Sequence, residues 1–317
     1  MLKAGDTVAT ISLSSGAAGS LPVRYGAGKQ QLEETFGLRV VEAPNSQRDA
    51  QFLYENPQAR VDDLHWALTD DDVAAIISNI GGSESVRLLP LIDFDLIRQH
   101  PKVLMGFSDT TVQHVAHLHA GVVSFYGPSL LCDLAENCGI HPFTENEIRR
   151  VLFSSIPPGE LLASTEWTEQ FLEWGDPENQ HVRRTFVPNP GWTWVQGVDS
   201  DPVAGPLLGG CIEVLEMLKA TAWWPPIDRW SGAVLYFETS EVVPEPTLVE
   251  KWLRNYGSQG ILERAGGMLI GRPYRYAAVP KDELFGVIRK VLREFGRADM
   301  PVVADLDFGH TSPQCVM

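Results

Sequence analysis

Basic residues are scarce in this chain: 25 lysines and arginines stand against 41 aspartates and glutamates, a formal net charge of −16. That balance excludes a broad electrostatic footprint for a nucleic-acid polymer or an anionic membrane. A small nucleotide-like ligand remains compatible, because it needs only a local pocket. Cysteine is sparse as well. Cys132, Cys138, Cys211 and Cys315 lack paired metal-ligand spacing and are too few for a disulfide framework. Reduced, structural cysteines in a cytoplasmic protein are expected. No apolar run approaches the roughly 20 residues of a membrane span. The stretch Met1 to Asp6 passes straight into a strand pattern without an apolar leader. Internal repeats and low-complexity tracts are missing too.

What is present is a globular composition, 44% hydrophobic and 21% charged over 317 residues, enough for two domains with substantial cores. The first part alternates strand and helix patterns. A strand over Thr7–Leu13 runs into a loop of small residues, and a helix around Tyr25–Phe36 stops at Gly37. Leu38–Val41 is the next strand, and Asn56-Pro57 opens a helix to about Leu68. Val73–Ile80 is a continuous apolar strand ending in Gly81-Gly82, and Val103–Phe107 leads through Ser108 into another helix. Continuous apolar strands separated by helices imply a parallel sheet covered on both faces. In such sheets ligands bind beyond the carboxyl ends of the strands.

The character changes after Ser154. Paired prolines lead into an aromatic-rich stretch reaching about Trp194, and seven of the nine tryptophans fall between Trp167 and Trp230. A glycine-rich turn is expected over Gly205–Gly210, then an apolar helix to Lys219. A strand over Ala233–Phe237 delivers Glu238 at its end. An amphipathic helix with Asp282 as its cap stops at Gly296, and the strand Pro301–Leu306 ends in Asp307-Phe-Gly-His310. The expected division is 1–155, a connecting aromatic loop 156–194, and 195–317.

Three polar residues follow strands directly: Ser108, Glu238 and His310. A serine on a sharp strand-to-helix turn, beside the N–H groups of a helix start, supplies a nucleophile with an oxyanion site. A histidine would take its proton, and an acid would fix the imidazole tautomer. Each residue also has a plainer reading: a helix-capping serine, a rim carboxylate, a turn histidine. Gly81-Gly82 reads either as a strand-ending turn or as backbone that approaches a reacting carbonyl. The tryptophans suit an aromatic core or, exposed, a stacking surface for a planar ligand. His114 and His117 share a helix face, but neither cysteine nor glutamate completes a metal set there.

Seven ordered segments resemble the serine peptidases that contain LD-carboxypeptidases and the microcin C immunity proteins. They are Gly5-Asp-Thr; Ile80-Gly-Gly82 with Leu88-Leu-Pro90; Gly106-Phe-Ser-Asp109; Phe125-Tyr-Gly-Pro128; Leu207-Leu-Gly-Gly210; Leu235-Tyr-Phe-Glu238; and the run from Ala304 to His310. The aromatic stretch with Phe171-Leu-Glu-Trp174 and Asn189-Pro-Gly-Trp192 is similar to the extended loop of the immunity-protein branch.

The resemblance implies an α/β fold. An N-terminal Rossmann-like parallel sheet would carry the nucleophile turn, and a barrel-like, swivelling C-terminal α/β domain would close the site. It implies Ser108 as nucleophile, Glu238 and His310 as its partners, and the N–H groups of Gly82 and Asp109 as oxyanion donors. Gly81, Trp192, Gly210 and Cys211 are the implied substrate-binding positions, with Trp192 stacking on a base. Relatives are cytoplasmic homodimeric carboxypeptidases that need no metal or other cofactor, and the immunity branch cleaves a peptidyl-nucleotide amide. The alternatives are a murein tetrapeptide LD-carboxypeptidase and a catalytically inactive ligand-binding protein on the same scaffold. Two positions depart from the immunity-protein pattern. Cys211 replaces the asparagine after the glycine pair, and Val242 replaces a lysine suited to an acidic substrate group. Relatives also usually continue past the histidine motif, where this chain stops at Met317.

Overall fold

A first sheet grows from five short runs, mostly of β-branched, small or aromatic residues: β1 (Thr7–Ile11), β2 (Arg39–Glu42), β3 (Val73–Ser78), β4 (Val103–Gly106) and β5 (Phe125–Tyr126). The computed structural model describes the backbone of residues 1–317 and all side chains except those of Ala278 and Val279. The five strands are all parallel, in the order β2-β1-β3-β4-β5. Every residue of β1 is buried, as expected of a strand covered on both faces. The helix Pro22–Phe36 has proline in its first turn and Gly37 at φ 67 as its left-handed stop. Its Tyr25, Leu32 and Phe36 pack with Val8, Val40, Ile77 and Met105 in one core. Each such burial is worth about 1.5–3 kcal/mol.

The chain runs from β1 to β2 on one side and then crosses back to β3 on the other, so the strand order reverses beside the carboxyl ends of β1 and β3, where ligands bind in such sheets. The loops of Ser14 and of Gly81-Gly82 lie at those ends.

Contacts group the chain differently from the expected cuts. The first unit comprises Met1–Leu162, Gln170–Val187 and Pro313–Met317, and the second comprises Ala163–Glu169 and Pro188–Ser312. The last five residues join the first unit because Met317 exchanges both backbone hydrogen bonds with Tyr126, at 2.8 and 3.0 Å. Gln314 also binds Asp133 and Thr144 there.

The aromatic stretch contains the two-residue strands β6 (Glu166–Trp167) and β7 (Val187–Pro188). Beyond it, the second unit holds β8 (Thr193–Gln196), β9 (Leu207–Cys211), β10 (Val234–Glu238), β11 (Gly267–Gly271) and β12 (Val302–Leu306). Their order is β8-β12-β11-β10-β9. β9 to β12 are parallel, and β8 is antiparallel at one edge.

Three local expectations change. Gly209 and Gly210 do not form a turn: they lie in β9, where a Cβ on Gly209 would strike the backbone of Tyr236. Gly209 permits close strand approach. β8 and β11 had no counterpart in the expected elements, and β11 is bounded by glycine at both ends. Asp282 is not the cap of the last long helix, which runs Ala278–Glu294. Pro280 sits in its first turn, where a missing N–H costs nothing.

Candidate active site

Ser108 follows β4 with φ 60. A helix-capping serine normally takes an extended backbone, so this left-handed conformation argues against the plain capping reading. For a non-glycine residue it is also strained. The strain is held from several sides. The Ser108 N–H donates to the Tyr126 hydroxyl at 3.0 Å. His114, buried on the following helix, contacts the Gly106 carbonyl through Nε2 at 2.9 Å and Ser124 Oγ through Nδ1 at 2.8 Å. Burial pushes the His114 imidazole down to about 4, against the opposing effect of its bond to Gly106. His114 therefore braces the turn as a neutral ring. His117 is likewise buried, with Nδ1 2.8 Å from the Gln113 carbonyl.

The glycine pair lies over the serine. A Cβ on Gly81 would stand 2.8 Å from both Cβ and Oγ of Ser108 and 3.1 Å from the Asp109 nitrogen. Gly82 has φ 149, and a side chain there would meet the Ser14 hydroxyl. The expected residues Gly81, Gly82, Ser108 and Asp109 thus come together in the first unit.

The carboxylate of Asp109 fastens this loop. Its Oδ2 accepts the hydroxyl of Ser14 and the N–H groups of Glu84 and Ser85, the last two at 2.9 Å each. Asp109 is fully buried. From the sequence, Asp109 enters only through its N–H, and an acidic residue after a serine carries no signal for this second task.

In the second unit, β10 ends at buried Glu238, and Oε2 lies 2.7 Å from Nδ1 of His310. Space for the carboxylate comes from two glycines. A Cβ on Gly309 (φ 99) would stand 2.8 Å from Glu238 Oε2, and one on Gly271 would stand 2.9 Å from Glu238 Cβ. On the other side of the ring, His310 Nε2 is 3.0 Å from Oε2 of Glu241. Burial alone would lower the basicity of His310, but Glu238 and Glu241 outweigh it and raise the imidazole to about 10. The hydrogen bond to His310, opposed by partial burial, brings Glu241 down to about 2.

Behind this pair, Cys211 is the register neighbour of Glu238. It is buried, and its thiol donates to Glu213 Oε2 at 3.4 Å. Burial, then the charges of Glu238 and Glu213, push the thiol well up. Glu213 is also raised, by burial and by Glu238, while its Oε1 accepts the N–H and hydroxyl of Ser240 at 2.8 Å each. Gly210 is buried with φ 137. Glu213 and Glu241 carry no signal in the sequence, since lone glutamates near a strand end have no distinguishing pattern.

The tryptophans do not form one surface. Trp192 donates its indole N–H to buried Asp307 at 3.3 Å, and Asp307 also binds Ser164 and Arg272. Trp167 stacks on that Arg272 at 4.8 Å. Trp224 and Trp230 join Tyr256 in a separate aromatic cluster, with ring centroids 5.2–6.0 Å apart. Trp174 lies in the first unit beneath Arg24 at 4.9 Å. Among the described residues no group of three His, Cys, Asp or Glu is arranged to hold a metal ion, and no helix is long and apolar enough to cross a membrane.

Comparison with known proteins bears on both halves. Residues 8–127 match the LD-carboxypeptidase N-terminal domain, and residues 204–317 match the LD-carboxypeptidase C-terminal domain. A Treponema pallidum protein named "Putative carboxypeptidase" is 30% identical over 260 residues, covering 81% of this chain and 71% of that one. The Bacillus subtilis protein named "Probable murein peptide carboxypeptidase" is 28% identical, over 98% of this chain and 86% of its own. The crystal structure of a MccF-like protein from Streptococcus pneumoniae in complex with AMP superposes with a TM-score of 0.86 at 28% identity, covering 99% of this chain and 94% of that chain. With both domains matched in order and relatives similar along most of their length, the chain belongs to the LD-carboxypeptidase family and is a serine carboxypeptidase.

Proposed function

We propose that the enzyme hydrolyses a peptide-like or peptidyl-nucleotide amide of the microcin C type through an acyl-enzyme on Ser108. Ser108 Oγ attacks the scissile carbonyl while His310 Nε2 takes its proton, and Glu238 holds Nδ1 and the resulting positive charge. The N–H groups of Gly82 and Asp109 receive the developing oxyanion. His310 then protonates the leaving amine, and water releases the acyl group by the reverse sequence. The observation that carries this reading is the strained Ser108 turn under Gly81-Gly82, a geometry suited to an exposed nucleophile beside backbone donors. The nucleotide half draws support from the AMP bound in the similar Streptococcus structure. A homodimer in the cytoplasm, as the family resemblance implies, is part of the same proposal.

A second reading, removal of the terminal residue from a murein tetrapeptide, draws on the Bacillus relative's name. Side-by-side steady-state assays on an aminoacyl sulfamoyl adenosine and on murein tetrapeptide test the choice. A kcat/KM at least tenfold higher on the nucleotide conjugate supports the first reading, and the reverse preference replaces it with the second. Turnover undiminished in Ser108→Ala would remove the nucleophile assignment from both.

A further inference from the structure

His310 has a carboxylate on each side of its ring. Glu238 Oε2 holds Nδ1 at 2.7 Å from the buried end of β10. Glu241 Oε2 stands 3.0 Å from Nε2, the nitrogen that must accept the Ser108 proton in the proposed reaction. A carboxylate there favours a proton on Nε2, and a protonated Nε2 cannot act as a base. The two acids are anchored differently. Glu238 has no exposed side-chain surface, whereas the Glu241 side chain is 67% exposed. Glu241 sits on a turn whose root is fixed by Ser240, which donates to Glu213 and accepts the N–H groups of Val242 and Val243. An ion pair with one partner in solvent is weak and exchanges readily.

We propose that Glu241 is a displaceable positioning residue for His310, paired with Nε2 in the resting enzyme and withdrawn when substrate binds, so that it sets the pH at which turnover begins. The inference rests on His310 being the general base. Groups bearing on the ring are Glu238 from β10 and Glu241 from the turn, with Glu213 and Cys211 behind Glu238. Of these, Glu241 is the one whose side chain reaches solvent while touching Nε2. The raised basicity of His310 is in keeping with this arrangement. The displacement itself only separates an ion pair; the Nε2–H bond then breaks as its proton passes to water, which becomes hydronium, and the neutral ring meets the substrate-bound serine.

The test is a histidine titration by NMR on the full-length protein, with the His310 resonance assigned through His310→Gln. It is run on wild type and on Glu241→Gln, together with kcat/KM against pH. The wild-type midpoint is expected near 10. In Glu241→Gln it should fall by ~1 unit or more, still elevated by Glu238, and the acid limb of kcat/KM should move down with it, raising the rate at neutral pH ~tenfold. An unmoved midpoint in a variant that melts like wild type overturns the proposal. So does a uniform loss of kcat/KM at every pH, which would make Glu241 a requirement of turnover. The titration needs no activity, so failure of the nucleophile assignment registers separately, as turnover surviving in Ser108→Ala.

Discussion

Oε2 of Glu238 lies 2.7 Å from Nδ1 of His310, in a space that exists because residues 271 and 309 are glycines. Alanine at position 309 would place its Cβ 2.8 Å from that oxygen and force a side chain onto φ 99. Gly309→Ala should therefore lower kcat by ~10²-fold through a misplaced carboxylate and imidazole. Its stability cost should be about 1–3 kcal/mol from backbone strain. Urea unfolding and steady-state kinetics on the same preparation separate the two effects, and a variant with wild-type kcat would show that the Glu238–His310 geometry tolerates displacement.

Asp109 fastens the loop over the serine through one oxygen, so Asp109→Ala should loosen the turn while leaving the Ser108 side chain in place. Three donors lose the Asp109 carboxylate, the Ser14 hydroxyl and the N–H groups of Glu84 and Ser85, and Glu84 keeps only its longer contact to Ser14 Oγ at 3.5 Å. Hydrogen bonds to a charged group are worth about 1.5–3 kcal/mol each, and buried donors left unpaired add to the loss. The expected outcome is destabilisation of several kcal/mol in denaturant titration and faster amide exchange at Glu84 and Ser85. Unchanged exchange at those two amides would contradict the anchoring role.

If Ser108 and His310 act as a unit, their effects on turnover do not multiply. Ser108→Ala and His310→Ala should each remove most of kcat, and the double variant should be little worse than either. Losses that multiply in the double variant would assign the two residues to independent steps.

The charged state of His310 also marks the pH profile of stability. The imidazole titrates near 10 in the folded protein, against about 6.5 when unfolded. Between those values the folded state binds the extra proton, so stability falls as pH rises. The contribution is full below about 6.5 and lost as pH passes through 10. Thermal unfolding from pH 6 to 10.5 should show this decline in wild type and a flatter one in His310→Gln. Parallel curves would mean the ring is not held charged.

The parallel sheet of the first unit was legible because β1, β3 and β4 are apolar on both faces and end at recognisable breakers. The ends were set less sharply: β3 stops at Ser78 and β4 at Gly106, two residues and one residue before the expected limits. In the second unit, glycine inside a strand has the local look of a breaker. Gly209-Gly210 suggest a turn, yet a Cβ on Gly209 would strike Tyr236 in the neighbouring strand, because a glycine that allows close strand approach looks locally like one at a bend. The tryptophans are concentrated in sequence, but Trp192, Trp224 and Trp174 lie against partners from distant segments, Asp307, Tyr256 and Arg24 respectively.

By itself the sequence determined the class of the fold, the order of the chemistry-bearing segments, and the candidates Ser108, Glu238 and His310. Each is a local property: strand periodicity, breaker residues, and polar side chains placed just after apolar runs. The tertiary structure decided what surrounds those candidates. It placed Ser108 in a left-handed turn, set Asp109 on Ser14 and the 84–85 backbone, and put Glu241 on the far nitrogen of His310. Those relationships depend on distances of a few ångströms between residues separated along the chain. Spacing in a sequence does not encode such distances until the strands are in register.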